Sequence, residues 1–182
     1  EASRVRRIDL HGLRLGASRF VAGQDLGTCV AVLRRLNDQG LHANTTLLGE
    51  DVLDEAEARA VADEYLVILA RLHEEELRAN VALKLPHRGL DLDEELAHEN
   101  IERVVARAGE LGNFIRIDME YSALVDPTLR LYRRLREAGH ANVGTVLQSY
   151  LYRTLDDLES LLPLEPNLRL VKGAYLEPES VA

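Results

Sequence analysis

Short apolar runs alternate with longer amphipathic stretches along this sequence, and this alternation restricts the chain to a few folds. The apolar runs are rich in Val, Ile, Leu and Thr and recur about every 30 residues, as buried strands do in α/β proteins. They cover residues 41–50, 80–85, 114–120, 142–150 and 168–175. The stretches between them carry apolar residues at helical spacing, most clearly over 51–78, 92–109 and 126–138. This order predicts βαβ units and a parallel sheet.

A (βα)n barrel and a doubly wound sheet both fit this regularity. No GxGxxG motif opens a helix, which disfavours the dinucleotide-binding version of the doubly wound sheet. We therefore predict the α/β class and a (βα)8 TIM-like barrel. Such a barrel typically needs ~250 residues. The chain has 182, with five strong strands and a weaker extra segment at 18–23, so we expect residues 1–182 to form a single, incomplete barrel domain covering roughly the first five strands.

Charge and cysteine content narrow the classes of function. The formal net charge is −9, which argues against nucleic acid as a partner because phosphate binding needs a basic surface. Cys29 is the single cysteine, which suits a reducing compartment, and no apolar stretch reaches the roughly 20 residues that span a bilayer. We predict a cytoplasmic protein. The six histidines show no metal-ligand spacing, so no metal site is predicted.

Polar side chains stand near the carboxyl ends of the last four predicted strands, where parallel α/β folds place their chemistry. These residues are Lys84, Arg116, Asp118, Gln148, Arg169 and Lys172. Arg169 and Lys172 are three positions apart, so a regular strand puts them on opposite faces unless it breaks near Lys172, where Gly173 permits a break. The set predicts a pocket of cations with one carboxylate, suited to an anionic substrate or to a cofactor with electron-rich heteroatoms.

Other interpretations of these residues stay open. Arg116 and Asp118 fit a structural ion pair, with each other or with a helix, and Lys84 or Lys172 fits a side chain that reaches into solvent. As an alternative function, Lys84 or Lys172 fits the Schiff-base lysine of an aldolase-like barrel enzyme. A noncatalytic barrel fragment is the third interpretation.

Several ordered motifs resemble the flavin-dependent proline dehydrogenases, most of all the monofunctional bacterial type, and the same domain of bifunctional proline utilisation proteins. The motifs are RFVAG (19–23), LLGE (47–50), LKL around Lys84, RIDME (116–120), VLQSYLYRT (146–154) and RLVKGAYLEP (169–178). The resemblance implies a (βα)8 barrel that holds FAD and oxidises L-proline to Δ1-pyrroline-5-carboxylate by hydride transfer to flavin N5. It also implies electron transfer to a quinone, with a peripheral contact at the inner face of the cell membrane.

The resemblance assigns a role to each matching residue. It implies that Lys84 meets the proline carboxylate, that Tyr175 lies near the substrate ring, and that Asp118 orders the active site. Arg169 corresponds to the arginine that reaches the flavin near N5, which gives it both a catalytic and a cofactor-binding role. The remaining predicted flavin contacts are Met119, Val146, Gln148, Lys172, Gly173 and Ala174.

The chain also departs from the pattern of this family. The family has an arginine pair on its last helix for the proline carboxylate, and later strands for the adenine half of the flavin, and neither lies within these 182 residues. Tyr121 stands where the family has a second acidic residue. We therefore expect this stretch alone to be neither complete nor competent.

Overall fold

The computed structural model describes residues 21–23, 25–48, 52, 54–85 and 94–182. Residues 18–20 of the weak segment 18–23 and the last two residues of LLGE (47–50) lie outside these ranges, so the predictions made for them stay predictions. Residues 21–23 are in neither a helix nor a strand.

Helices and strands alternate along the described chain. Their order is α1 (Leu26–Asp38), β1 (Ala43–Thr45), α2 (Glu55–Glu74), β2 (Ala79–Leu83), α3 (Glu94–Glu110), β3 (Ile115–Ile117), α4 (Val125–Glu137), β4 (Val143–Gln148), α5 (Thr154–Leu161) and β5 (Leu168–Val171). Two short 3-10 helices, Ser122–Leu124 and Leu162–Leu164, precede α4 and follow α5. All five predicted strands are present, each shorter than its apolar run, and α5 is an additional helix that the sequence analysis did not predict.

The starts and ends of the helices follow from local side-chain chemistry. Asp25 and Asp54 cap α1 and α2 by accepting hydrogen bonds from backbone N–H groups three residues later, which satisfies donors that a helix start leaves free. The predicted start of α4 at Asp126 is one residue late, because the preceding 3-10 helix leads directly into Val125. The predicted end is confirmed: α4 stops just before Gly139, whose φ is +95°.

The five strands form one parallel sheet in the order β1-β2-β3-β4-β5, so each strand lies beside its neighbour in sequence. This order, with a helix in each connection, is that of a βα-barrel, and the sheet is curled into a half-barrel. In β3, Ile115 and Ile117 are fully buried in the core while Arg116 between them is partly exposed, as a strand with two different faces requires. The predicted α/β class is confirmed.

The last strand ends just before Lys172 and Gly173, where the sequence permits a break. β5 stops at Val171, and Gly173 has a φ of +106°, a conformation that other residues rarely adopt. Lys172 is exposed, whereas Arg169 is partly buried.

None of the helices in the described ranges is both long enough and apolar enough to cross a bilayer.

Candidate active site

The register of the sheet brings four predicted site residues to one level. β2 pairs with β3, β3 with β4, and β4 with β5 in continuous register. Continued one residue past β2 and β3, this register places Lys84, Asp118, Val146 and Arg169 in a row across the carboxyl edge of the sheet. Side chains from four strands therefore converge, although they are far apart in sequence.

Asp118 and Arg169 form an ion pair within this row. The Arg169 Nη2 donates a hydrogen bond to the Asp118 Oδ1, and the bond passes over β4 to join the end of β3 to β5. The Asp118 side chain is 19% exposed and that of Arg169 is 41% exposed. Burial raises the pKa of the Asp118 carboxyl above its ordinary value, and the Arg169 guanidinium offsets part of that rise. The Arg169 Nε is buried without a hydrogen-bond partner among the described residues.

Glu120 is a second carboxylate at this edge, and the sequence analysis missed it. Its residue is only 8% exposed, and its Oε1 lies 3.7 Å from the Lys84 Nζ. The Tyr175 hydroxyl donates a hydrogen bond to the other oxygen, Oε2. The expectation of one carboxylate in the pocket is therefore wrong: two carboxylates stand beside two cations. The available signal was spacing, because residues 118 and 120 are two apart, as 116 and 118 are.

Tyr175 is the predicted substrate contact that the structure places beside Glu120. Burial raises the pKa of its hydroxyl, and the hydrogen bond to Glu120 raises it further, so the phenol stays protonated. Its ring meets the ring of Tyr121 edge to face, with 6.4 Å between the centroids. Tyr121 thus packs against a predicted substrate-binding residue.

The turn after β5 accepts two hydrogen bonds from Tyr150. The Tyr150 backbone N–H donates to the Lys172 carbonyl at 3.0 Å, and its hydroxyl donates to the Tyr175 carbonyl at 3.2 Å. Any β-carbon added to Gly173 would overlap the Tyr150 ring. The small size of Gly173 therefore leaves room for the Tyr150 ring, and its predicted contact with the flavin stays a prediction.

Arg116 lies on β3 two residues before Asp118, and its hydrogen bonds give it a structural role. Its Nη1 donates to the carbonyls of Thr145 and Asn167 at 3.0 and 2.8 Å, and its Nη2 donates to the Asn167 side chain at 2.5 Å. Gly144 leaves the space that the guanidinium fills, since a β-carbon there would collide with it. Asp118 takes Arg169 as its hydrogen-bonded partner, so the alternative of a direct Arg116–Asp118 pair is not what the structure shows.

The remaining predicted flavin contacts divide into buried and exposed groups. Met119, Val146 and Gln148 are buried, and the Gln148 Nε2 donates to the Glu120 carbonyl at 2.7 Å. Lys172 and Ala174 are exposed. Their assignment to the cofactor stays a prediction.

A curled parallel sheet with charged side chains gathered at its carboxyl edge defines a βα-barrel domain with a polar strand-end site. The family model described as proline dehydrogenase matches residues 29–182. Proline dehydrogenase 1 of Bacillus subtilis is 41% identical over 172 residues, covering 94% of this chain and 57% of that protein. Proline dehydrogenase of Deinococcus radiodurans is 42% identical over 170 residues, covering 91% and 55%. The chain belongs to the proline dehydrogenase family.

More distant relatives agree on the fold. The bifunctional protein PutA of Escherichia coli is 26% identical over 196 residues, covering 92% of this chain and 14% of that protein. A crystal structure of proline utilization A from Bdellovibrio bacteriovorus, inactivated by N-propargylglycine, superposes with a TM-score of 0.75 at 23% identity, over 87% of this chain and 20% of that one. The chain spans a little over half the length of the curated proline dehydrogenases quoted above.

Proposed function

We propose that the protein containing this chain oxidises L-proline to Δ1-pyrroline-5-carboxylate and uses FAD as its cofactor. Family membership and the names of the curated relatives support the reaction. The observation that carries the proposal within this chain is the row of Lys84, Asp118 and Arg169 at the carboxyl edge of the sheet. It combines a cation for an anionic substrate with an arginine oriented by a carboxylate.

The donors at this edge fit a flavin. A reduced flavin carries negative charge on its ring, and a cationic N–H donor beside it stabilises that charge. Arg169 has an Nε that makes no hydrogen bond within the described part of the chain, and its guanidinium is held in place by Asp118. Lys172 adds an exposed ammonium just past the end of β5. We assign Arg169 to the flavin ring and Lys172 to the periphery of the cofactor.

Lys84 and Tyr175 form the substrate side of the proposed site. The Lys84 ammonium is 45% exposed on its side chain and faces the same edge as Arg169, so it is accessible to a carboxylate. Two hydrogen bonds hold Tyr175: its hydroxyl donates to Glu120, and its backbone carbonyl accepts from the Tyr150 hydroxyl. Its ring offers an apolar surface for a five-membered ring. A point charge and a ring contact together orient the substrate, and orientation lowers the barrier of a reaction between two bound partners.

The proposed reaction removes two electrons and two protons from proline: a hydride leaves C5, and the amine nitrogen loses a proton. When bound, FAD supplies the acceptor for the hydride that leaves proline C5. The chain contributes by holding the proline carboxylate at Lys84, and by placing Arg169, oriented by its ion pair with Asp118, where negative charge develops. The remaining flavin contacts in the proposal are Met119, Val146, Gln148, Gly173 and Ala174.

The electron acceptor and the location follow from the same proposal. We assign the re-oxidation of the cofactor to a quinone, which requires a peripheral contact with the membrane, and we assign the protein to the cytoplasm. Residues 1–182 belong to a single barrel domain in this account.

Product formation tests the proposal directly. The full-length protein with FAD, L-proline and an artificial electron acceptor should produce a pyrroline that condenses with o-aminobenzaldehyde to a coloured adduct. D-proline is the matched control, because the site is chiral. An absence of adduct from the FAD-loaded protein overturns the proposal. Covalent trapping of a carbonyl substrate by borohydride at Lys84 or Lys172 would instead support the aldolase-like alternative.

A further inference from the structure

Glu120 is a buried carboxylate whose two oxygens face the two proposed substrate-binding side chains. We propose that Glu120 is a positioning residue that holds the Lys84 ammonium and the Tyr175 hydroxyl in their places. The inference rests on the proposed function in so far as Lys84 and Tyr175 are assigned to the substrate. No role for Glu120 follows from the family resemblance described above.

The backbone around Glu120 fixes the carboxylate. Glu120 lies three residues past the end of β3, and its carbonyl accepts a hydrogen bond from the buried Gln148 Nε2 on the neighbouring strand at 2.7 Å. With only 8% of the residue exposed, its side chain has little freedom to turn towards solvent. Burying a carboxylate is costly unless it finds partners, so its contacts are expected to be specific.

The two oxygens of Glu120 make two different kinds of contact. Oε2 accepts a hydrogen bond from Tyr175, which sets the orientation of that ring. Oε1 lies 3.7 Å from the Lys84 Nζ, which is electrostatic attraction at a distance longer than a hydrogen bond. An ammonium has three donors. Lys84 is therefore drawn to one side while its donors stay available to a substrate carboxylate.

Glu120 also separates the two cations of the site. Asp118 is aligned with Lys84 in the sheet register, and the positive charge of Lys84 attracts its carboxylate. The hydrogen bond of Asp118, however, is with Arg169. Without the charge of Glu120, we expect Lys84 to be drawn towards Asp118, on which its charge already acts. The lysine would then turn away from the substrate and compete with Arg169. Two carboxylates thus hold two cations in separate positions.

The test uses a charged ligand and a neutral ligand of the same shape. Binding of cyclopentanecarboxylate and cyclopentanecarboxamide to the full-length, FAD-loaded protein is measured by calorimetry, for the wild type and for Glu120→Gln. We expect the variant to bind the carboxylate about tenfold more weakly, as the loss of one charge-assisted contact implies, and to bind the carboxamide within about threefold of wild type. Glu94→Gln is the matched control, because Glu94 pairs with Arg130 on the exposed surface and should leave both affinities unchanged.

Two further variants keep the inference testable if Glu120→Gln does not fold. Glu120→Asp retains the charge but withdraws it by one methylene group, and should weaken carboxylate binding in the same direction. Tyr175→Phe combined with Glu120→Asp should cost less than the product of the two single fold-changes, because the two residues act through one hydrogen bond. Strictly multiplicative effects, or unchanged or tighter carboxylate binding in the Glu120 variants, would overturn the positioning role.

The outcomes separate this inference from the proposed reaction. Reduction of the wild-type flavin by L-proline, together with wild-type ligand affinities in Glu120→Gln, leaves the reaction standing and overturns the role of Glu120. If L-proline does not reduce the wild-type flavin, but binding of the carboxylate ligand still depends on Glu120, the proposed reaction is overturned and the role of Glu120 stands. A wild type that binds neither ligand overturns the role of Glu120, since Lys84 then holds no carboxylate.

Discussion

The Arg169 guanidinium donates a hydrogen bond through Nη2 to the carboxylate of Asp118, a residue 51 positions earlier in the sequence. The bond crosses β4 and joins the end of β3 to β5, so it closes the row of polar groups along the edge of the sheet. It restrains a guanidinium whose Nε makes no hydrogen bond within the described ranges. Asp118 thus serves the proposed flavin site by orienting Arg169.

Arg169→Met should slow flavin reduction by L-proline by about 100-fold, because removing a donor from developing negative charge typically costs that much. The free energy of unfolding should change little, because the Arg169 side chain is partly exposed. Rapid mixing under anaerobic conditions gives the reduction rate, and thermal unfolding gives the stability. Arg130→Met is the control: it removes a surface ion pair with Glu94 and should leave the rate unchanged. Wild-type reduction by the Arg169 variant would contradict the assignment.

Lys84→Ala should weaken L-proline binding by about 10- to 100-fold, as the loss of a charge-assisted hydrogen bond implies. Lys84 and Lys172 are the two lysines in the sequence, and they are proposed to serve different ligands. Lys172→Ala should therefore weaken FAD binding and leave the affinity for L-proline unchanged. The dependence of the flavin reduction rate on L-proline concentration gives the affinity for L-proline. The fluorescence of released flavin gives the affinity for FAD. Equal proline affinities in Lys84→Ala and the wild type would rule out the carboxylate contact.

Gly173→Ala should destabilise the protein more than Gly139→Ala does. Both glycines have positive φ values, +106° and +95°, so alanine is strained by about 1–2 kcal/mol at either position. At Gly139 no atom lies near the added carbon, whereas at Gly173 the carbon meets the ring of Tyr150. Overpacking of this kind adds about 1–3 kcal/mol. Chemical denaturation of both variants measures the difference, and equal losses would show that Tyr150 moves away at little cost.

Asp118→Asn should change how stability depends on pH in the acidic range. The pKa of Asp118 is raised in the folded protein, so the folded state holds its proton to a higher pH than the unfolded state does. Asp118 therefore contributes stability below its unfolded pKa of about 3.9, and this contribution is lost as the pH rises through the folded value. Relative to Asp118→Asn, the wild type should lose stability as the pH rises above about 4.

In the same experiment, the comparison with Asp25→Asn should show the opposite dependence of stability on pH. The hydrogen bonds from Thr28 lower the pKa of Asp25, so the wild type should gain stability relative to that variant as the pH rises through the acidic range. Denaturant unfolding in a pH series measures both slopes. A wild type that gains stability over Asp118→Asn with rising pH would contradict the effect of burial at Asp118.

The architecture could be predicted because apolar periodicity reports directly on buried strands. Each of the five runs forms a strand, and the parallel order follows from the helices between them. The break after β5 was also predictable, since Lys172 and Gly173 do not continue a buried strand. α5 was missed because it has only eight residues and begins soon after the end of β4.

The site could be predicted only in part, because partners depend on three-dimensional contacts. Lys84, Asp118 and Arg169 stood out as charges in apolar runs, and the structure brings them to one level. Glu120 was not singled out although it shares the spacing of Arg116 and Asp118, because a carboxylate at the end of an apolar run resembles a solvated residue until Tyr175 is placed against it. The packing of Tyr150 below Gly173 likewise has no signal in spacing or composition.

The most direct test of the central claim is the visible absorption spectrum of the full-length, FAD-loaded protein under anaerobic conditions, recorded before and after addition of L-proline. We predict that the flavin bands bleach with L-proline and that they persist with D-proline. Flavin bands that stay unchanged at saturating L-proline, with FAD shown to be bound, would contradict the assignment of Lys84, Asp118 and Arg169 to proline oxidation.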